Sequence, residues 1–338
     1  MKNLYFYIKS KSNLVALSFI NFILLLLVSI FVLRINSYYE KFILEINKLE
    51  ELKKELMEYI KTYNLSDNQK ISLYIKDLST DYTIRINSEE LIPSASLVKI
   101  PIMAAVYYLT EKGKIFLDNE LIYQRKHLCG GSGIIKNYKF GKKFKIRELV
   151  ELMITISDNI ATHMLIEYIG IKNLNEIFKE LGLKNTNISR YVMDLRARDK
   201  GIENYTTAED IGLLLEKIYK KELVSKNSSN EMLLFLMKQK ISDRIPKKLP
   251  REVAVAHKTG LMRNVCHDAG IVYTRNGDFI ICILTKNLDS NLAKEIIAEV
   301  AYKTYSLYDN MFDKFKSSTS NDYATSTNND FGDDTGDN

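Results

Sequence analysis

Residues 253–285 decide the fold of this chain, and they read VAVAHKTGLMRNVCHDAGIVYTRNGDFIICILT. Three segments of this stretch are rich in β-branched and apolar residues and predict three strands, Val253–Lys258, Ala269–Thr274 and Phe279–Thr285. The dipeptide Asn276-Gly277 separates the last two segments, and it is typical of a tight hairpin turn. The stretch therefore predicts antiparallel strands near the carboxyl end of the chain.

Two further short strands are predicted much earlier, at Ile71–Lys76 and Tyr82–Asn87. Between the two strand regions, from Ser96 to about Gln239, apolar residues recur at helical spacing. Thr206, with Glu209 three residues later, predicts a capping box at the start of one of these helices. We therefore expect an α+β fold: an antiparallel sheet built from both ends of the domain, flanked by helices, with an inserted all-α lobe. A cleft is expected where the sheet meets the lobe.

Composition excludes several classes of protein. The 338 residues are 46% apolar and 27% charged, with 14 glycines and 4 prolines, which excludes a disordered or collagen-like chain. The net charge of +6 is too small for a dedicated nucleic-acid binder, so we expect no nucleic-acid partner. The three cysteines are too scattered for a disulfide framework, and the four histidines have no metal-ligand spacing. We expect no metal and no cofactor.

The amino end contains one long apolar run. Residues Leu14–Leu33 carry no charge, and a helix of twenty residues spans the roughly 30 Å of a bilayer core. The run predicts a transmembrane anchor at 14–33. A cleaved signal peptide is the main alternative, although its apolar part is normally shorter and ends in small residues. Lysines before the run predict that residues 1–13 are cytoplasmic and that the rest of the chain, including the catalytic domain, is extracytoplasmic in a single-pass cell-membrane protein.

Residues 34–66 predict a helical stalk with apolar positions spaced three and four apart. A single helix is one interpretation, and a weak stalk-mediated dimer is the other. The main body is expected at 67–310. Residues 311–338 are acidic and polar and predict a disordered tail.

Ser96 and Lys99 lie at the predicted start of a helix, where a spacing of three places their side chains on one face. The helix amino terminus favours a developing alkoxide, and a lysine that is partly desolvated can accept a proton. A serine needs such help before it becomes a useful nucleophile. The pair alone is common by chance.

Two further motifs follow in the same order as in a known family. Ser157-Asp158-Asn159 lies on a turn between two predicted helices, and Lys258-Thr259-Gly260 ends a predicted strand. With Ser96-x-x-Lys99, this set resembles the class A β-lactamases and penicillin-binding proteins, which are serine hydrolases. The resemblance covers about residues 70 to 310.

The resemblance implies a role for each motif residue. Ser96 would attack the carbonyl, Lys99 would accept its proton or stabilise the alkoxide, and Ser157 would relay a proton to the departing nitrogen. Asn159 would hold the amide of the substrate. The substrate carboxylate would bind at Lys258, Thr259 and Gly260, with Arg263 as a helper. The backbone N–H groups of Ser96 and Leu261 would form the oxyanion hole.

The chain departs from class A β-lactamases where deacylation is decided. Asp194 is the carboxylate nearest to the position of the family's deacylating glutamate, and Arg198 stands where an asparagine is expected. Asp194 is either a water-activating residue or a salt-bridge partner of Arg190 or Arg198.

The main hypothesis is a membrane-anchored serine β-lactamase acting on a small-molecule β-lactam. The alternatives are a D-alanyl-D-alanine carboxypeptidase or penicillin-binding protein acting on peptidoglycan stem peptides, and an inactive wall-binding or β-lactam-sensing domain. A basic run with interleaved aromatics, from Lys136 to Arg147, is either a solvated face or a contact with an anionic wall polymer.

Overall fold

The computed structural model of the chain describes the backbone of residues 2–324 and the side chains of residues 17–309. The helices are α1 (Lys2–Lys61), α2 (Lys99–Glu111), α3 (Ile146–Thr155), α4 (Asn159–Ile169), α5 (Ile171–Glu180), α6 (Leu195–Asp199), α7 (Ala208–Tyr219), α8 (Lys226–Met237) and α9 (Ser290–Ala324). The strands are β1 (Lys70–Asp77), β2 (Thr83–Ile86), β3 (Ile92–Pro93), β4 (Glu120–Ile122), β5 (Lys143–Lys145), β6 (Tyr205–Thr206), β7 (Val255–Met262), β8 (Val265–Val272) and β9 (Phe279–Lys286).

The chain divides into two compact units, one ending at Glu51 and the other beginning at Leu52. The first unit consists of helix α1 as far as Glu51 and contains the apolar run, whereas the last turns of α1 belong to the second unit. Within the helix from Leu17, an 18-residue window has a mean hydropathy of 2.5, and none of that window is buried within the protein. This apolar helix is compatible with a membrane anchor or a signal sequence. Helix α1 ends at Lys61, before Asn64 adopts a left-handed backbone with φ 45°.

The second unit is built on a five-stranded antiparallel sheet with the order β2-β1-β9-β8-β7. Strand β1, from the amino end of this unit, pairs along its whole length with β9 from the carboxyl end, and Ile75 lies opposite Ile281. The predicted α+β fold, with one sheet built from both ends of the domain, is confirmed.

Both faces of the sheet are covered. Phe279, Ile281 and Ile283 of β9 pack in a core with α9 and the last turns of α1, from Leu52 on. The alternate residues Ile280, Cys282 and Leu284 pack in the core of the helical lobe. A strand buried on both faces is apolar throughout, and each fully buried aliphatic side chain stabilises the fold by about 1.5–3 kcal/mol.

Helix α2 runs through the middle of the helical lobe. Every residue from Lys99 to Tyr107 is buried, which is the pattern of a helix surrounded by packed neighbours. Lys99 therefore enters the core together with the apolar residues that follow it. A buried ammonium needs polar partners there, since its desolvation is otherwise costly.

The sequence placed two strand boundaries wrongly. Strand β7 does not end at Lys258 but continues to Met262, and β8 begins at Val265 rather than at Ala269. The cause is a tight turn at Arg263 and Asn264, where Asn264 has φ 61°, so that Met262 pairs with Val265. The Lys-Thr-Gly motif consequently lies inside a strand at the edge of the sheet.

The predicted capping box is also wrong by one residue. Thr207 is the N-cap of α7, and its side chain accepts a hydrogen bond from the N–H of Asp210. Thr206 belongs instead to β6, opposite Ile92, and its hydroxyl is hydrogen-bonded to the Thr186 hydroxyl. The strand pairing takes Thr206 away from the helix end.

At the carboxyl end, helix α9 continues to Ala324, past the predicted start of the disordered tail at residue 311. The rest of that predicted tail, residues 325–338, lies outside the described residues.

Candidate active site

Ser96 lies on a short 3₁₀ turn, Ala95–Val98, which runs directly into α2. Ala95 has φ 44°, a left-handed conformation that is unfavourable for a residue with a Cβ. The turn is fastened by a hydrogen bond of 2.8 Å from the N–H of Ser94 to the carbonyl of Asn204. Ser96 is partly buried and lines a cleft of about 520 Å³.

Lys99, one turn further on, is fully buried and hydrogen-bonded. Its Nζ donates to the carbonyl of Ser157 at 2.7 Å, to the Ser157 hydroxyl at 3.0 Å and to Oδ1 of Asn159 at 2.8 Å. Burial lowers the pKa of Lys99 from its ordinary value to about 7, although the negative charge of nearby Asp158 acts to raise it. An amine with this pKa can accept a proton at neutral pH.

Lys258, on β7, approaches the same serine from the sheet. Its Nζ donates to the Ser157 hydroxyl at 3.1 Å and to the carbonyl of Thr259 at 2.9 Å. Burial is the main reason that the pKa of Lys258 lies well below its usual range, and the positive charge of Lys99 lowers it further. The Ser157 hydroxyl therefore accepts hydrogen bonds from both Lys99 and Lys258, which are 159 residues apart in the sequence.

Asp158 fixes the turn that carries Ser157. Its carboxylate is fully buried and accepts four backbone N–H groups: those of Ile160 and Ala161 at the start of α4, and those of Ile134 and Ile135 in the preceding loop. Orphan N–H groups at the helix start and in the loop are satisfied by one side chain. The same contacts hold the loop 130–135 beside the Ser-Asp-Asn turn.

This loop forms one wall of the cleft. The Asn159 N–H donates to the carbonyl of Ser132 at 3.1 Å, and its side-chain amide donates to the carbonyl of Gly130 at 3.0 Å. Gly133, with φ 117°, lies so close to Asp158 that a Cβ would come within 2.2 Å of the carboxylate carbon. Only glycine fits this approach.

Strand β7 forms the opposite wall. Thr259 and Gly260 are buried, whereas Leu261 is 51% exposed and lines the cleft. A Cβ on Gly260 would lie 3.4 Å from the Cβ of Ala95, so the strand passes directly beside the serine turn. Because β7 is the edge strand of the described sheet, its outer backbone groups are not paired with another of the described strands.

Among the described side chains, Asp194 forms no ion pair with Arg190 or Arg198, and its water-activating role stays a prediction. Its carboxylate caps α6 by accepting the N–H of Ala197 at 3.0 Å, and it is not among the cleft-lining residues. Arg190 and Arg198 form ion pairs with Glu203 instead, at 2.5 and 3.5 Å. Arg263 does line the cleft, at its exposed end, and its carbonyl accepts a hydrogen bond from Arg198.

Two residues near the site were missed from the sequence. Glu203 lines the cleft and is held by Arg190, Arg198 and the N–H of Asn204. Arg244 is almost completely buried, donates to the Cys266 sulfur at 3.2 Å and contributes to the lowered pKa of Lys258. Neither belongs to a recognisable motif, and only the folded chain brings them to the site.

The sheet, the inserted helical lobe and the hydrogen bonds of Ser157 with Lys99 and Lys258, near the cleft that Ser96 lines, are typical of one class of serine hydrolases. The chain belongs to the beta-lactamase enzyme family, whose model matches residues 51–308. It is 26% identical over 267 residues to the beta-lactamase BRO-1 of Moraxella catarrhalis, covering 75% of this chain and 84% of that protein.

Two solved structures are similar to most of this chain. A mutant of PBP-A, as an acyl-enzyme complex with penicillin G, matches with a TM-score of 0.71 and 27% identity, covering 78% of this chain and 97% of that one. A beta-lactamase from Sphaerobacter thermophilus DSM 20745 matches with a TM-score of 0.67 and 28% identity, covering 71% and 91% of the two chains. The predicted family and enzyme class are confirmed.

Proposed function

We propose that the protein is a serine β-lactamase that opens the β-lactam ring by acylating Ser96 and then hydrolyses the ester. The observation that carries the proposal is the shared hydrogen bonding of Ser157 to Lys99 and Lys258 beside the cleft that Ser96 lines. Beta-lactamases are among the similar proteins, and PBP-A binds penicillin covalently in a structure with the same fold.

The proposed acylation step uses Lys99, Ser157 and two backbone N–H groups. Lys99, with its pKa near neutrality, takes the proton of the Ser96 hydroxyl as that oxygen attacks the carbonyl. The backbone N–H groups of Ser96 and Leu261 stabilise the oxyanion. Ser157 passes a proton to the departing nitrogen, because its hydroxyl can accept from one lysine and donate to the substrate.

The substrate is held along β7 and the opposite loop. Its carboxylate binds at Lys258, Thr259 and Gly260, with Arg263 near the exposed end, and its amide binds to Asn159. A carboxylate entering this site favours the protonated form of Lys258, which opposes the effect of burial on the pKa of that lysine. Substrate binding therefore strengthens the positive field at the moment when Ser96 is acylated.

A second candidate, a penicillin-binding protein or D-alanyl-D-alanine carboxypeptidase acting on peptidoglycan stems, is favoured by the state of the carboxylates. Of the described residues that line the cleft, Asp199 and Glu203 are the acidic ones. Glu203 is held in ion pairs with Arg190 and Arg198. Glu203, so engaged, is a poor base for activating water, and this favours slow deacylation.

The lifetime of the acyl-enzyme separates the two candidates. Full-length protein in neutral detergent is mixed with a chromogenic cephalosporin and, separately, with a fluorescent penicillin. Many turnovers of the cephalosporin support the β-lactamase, and a stable covalent label without turnover supports the penicillin-binding protein. Labelling or turnover that persists in Ser96→Ala refutes the assigned nucleophile, and an unlabelled wild-type protein favours the inactive, sensing domain.

The apolar part of α1 is proposed to be a single-pass anchor, with residues 1–13 in the cytoplasm and the catalytic body outside. The helix from Leu17 is long and apolar enough to cross a bilayer. Protease added to intact cells is expected to degrade the body and spare the amino end. A soluble body after cell fractionation would show that the helix is cleaved as a signal sequence. The stalk-mediated dimer remains a prediction, tested by cross-linking at Tyr38 or Tyr39.

A further inference from the structure

A strongly basic segment contains the cleft wall 130–135, and the proposed chemistry uses none of its Lys and Arg side chains. Residues 121–147, which we call the basic arm, contain eight Lys or Arg residues and no Asp or Glu. Carboxylates from elsewhere in the chain pair with four of these cations, Lys126, Lys143, Lys145 and Arg147. Among the described side chains, no carboxylate pairs with the other four, which are Arg125, Lys136, Lys139 and Lys142.

Two of the four cations without carboxylate partners, Arg125 and Lys142, lie beside exposed aromatic rings. The Nζ of Lys142 lies 3.5 Å from the ring centre of Tyr138, and the guanidinium of Arg125 lies 5.7 Å from that of Phe140. Tyr138 and Phe140 are 40% and 46% exposed. Cations and flat apolar surfaces thus alternate on one part of the surface.

The exposed rings of Tyr138 and Phe140 pack against buried aromatic residues. Tyr138 packs edge-on against buried Phe144, with 5.6 Å between ring centres, and Phe140 packs against buried Tyr123 at 5.1 Å. Strands β4 and β5 pair below them, and Tyr123 and Lys142 extend that pairing by a backbone hydrogen bond. The arm is therefore a preorganised surface, which reduces the ordering cost of binding.

The basic arm is directly connected to the cleft. Gly131 lines the cleft, and its carbonyl accepts a hydrogen bond of 2.9 Å from Nζ of Lys136. A small β-lactam has no part that extends from the cleft to the rings. A polymer passing the cleft entrance can contact both.

We propose that the basic arm binds an acidic polysaccharide, a chain of sugar rings bearing carboxylate or phosphate groups. Arg125, Lys139 and Lys142 pair with the anionic groups, and the apolar faces of the sugars pack on Tyr138 and Phe140. A lipid surface fits less well, because membrane-binding faces bury large apolar side chains in the acyl boundary, whereas Tyr138 and Phe140 are more than half covered by the protein itself. The binding is separate from the chemistry at Ser96.

The test uses full-length protein in neutral detergent and three soluble polymers. Polygalacturonate supplies both sugar rings and carboxylates, polyglutamate supplies carboxylates without sugars, and dextran supplies sugars without charge. We expect polygalacturonate to bind with the highest affinity, with an affinity that falls as salt is raised. Equal affinity for polyglutamate would overturn the sugar part of the proposal.

The test variant is Arg125→Gln/Lys139→Gln/Lys142→Gln, and its matched control is Lys126→Gln/Lys143→Gln/Lys145→Gln, which removes three paired cations from the same arm. We expect the test variant to lose at least about tenfold in affinity for polygalacturonate, and the control to lose much less. Penicillin labelling of Ser96 is expected to be unchanged in both, which shows that they are folded.

Two results would overturn the proposal. One is equal loss of affinity in the two variants, since any surface charge would then serve. The other is displacement of the polymer by mixed micelles that contain phosphatidylglycerol, when the micelles supply less negative charge than the polymer does. That result would assign the basic arm to a membrane surface. Either result leaves the labelling of Ser96, and so the proposed function, unaffected.

Discussion

Lys99 and Lys258 donate hydrogen bonds to the same hydroxyl, that of Ser157, at 3.0 and 3.1 Å. Both ammonium groups are fully buried, and burial lowers the pKa of each. Two full positive charges in so small a buried volume repel each other, so the site favours the loss of a proton from the pair. In the proposed mechanism, the neutral amine that results is the base for the Ser96 hydroxyl.

Removal of the Lys99 amine should therefore abolish most acylation. We expect Lys99→Met to slow penicillin labelling of Ser96 by about 10²–10⁴-fold, because the general base is lost while the helix remains apolar. The rate constant for labelling with a fluorescent penicillin measures the effect. Lys112→Met, an exposed lysine just after the same helix, is the control and should label at the parent rate. A Lys99→Met protein that labels as fast as the control would remove Lys99 from the mechanism.

The pH dependence of acylation follows from the lowered pKa of Lys99, about 7. Below that pH the amine is protonated in the folded enzyme and cannot accept a proton. The labelling rate should therefore rise as pH increases through about 7 and then level off. Stopped-flow labelling across this range tests the sign. A rate that falls with increasing pH would mean that the charged form of the lysine is the active one.

Asp194 is expected to be dispensable for hydrolysis. Its carboxylate caps α6, and asparagine caps a helix nearly as well. Asp194→Asn should therefore keep the lifetime of the acyl-enzyme within roughly twofold of the parent. The decay of the penicillin adduct, followed by mass spectrometry, gives this lifetime. An adduct that persists at least about ten times longer would restore Asp194 as the deacylating group.

Asp158 is expected to matter for stability more than any exposed carboxylate. Its four N–H partners lose their acceptor in Asp158→Ala, and buried unsatisfied donors are costly. We expect a loss of about 3 kcal/mol or more in the free energy of unfolding, measured with urea. Asp118→Ala, which removes an exposed carboxylate paired with Lys145, should change it by less than about 1 kcal/mol. Similar losses in both variants would show that the Asp158 contacts are not a main source of stability.

Gly133→Ala and Gly141→Ala separate backbone strain from steric clash. Both glycines have positive φ, 117° and 92°, so both substitutions strain the backbone. A Cβ at 133 would meet Asp158, whereas a Cβ at 141 has no atom within 4 Å. We therefore expect Gly133→Ala alone to displace the cleft wall and to slow acylation by at least about tenfold. Equal acylation rates in the two variants would show that the wall can move without consequence.

The sequence by itself determined the architecture. The alternating and continuous apolar segments of β1, β8 and β9, together with Asn276-Gly277, predict the strands, since residue spacing reports which faces are buried. The apolar run that begins at Leu14 can likewise be recognised from the sequence alone. The three motifs indicated Ser96, Lys99, Ser157 and Lys258, because their order along the chain is specific to one family.

The tertiary structure alone decided how those residues work. No sequence pattern shows that Lys99 and Lys258 share one hydroxyl, or that Asp194 caps a helix while Glu203 is held by two arginines. The strand continuation to Met262 and the one-residue error at Thr206 have the same origin, since both depend on pairing with distant segments. Burial and hydrogen-bond partners arise from contacts between remote parts of the chain, and these contacts set the charge state of each group.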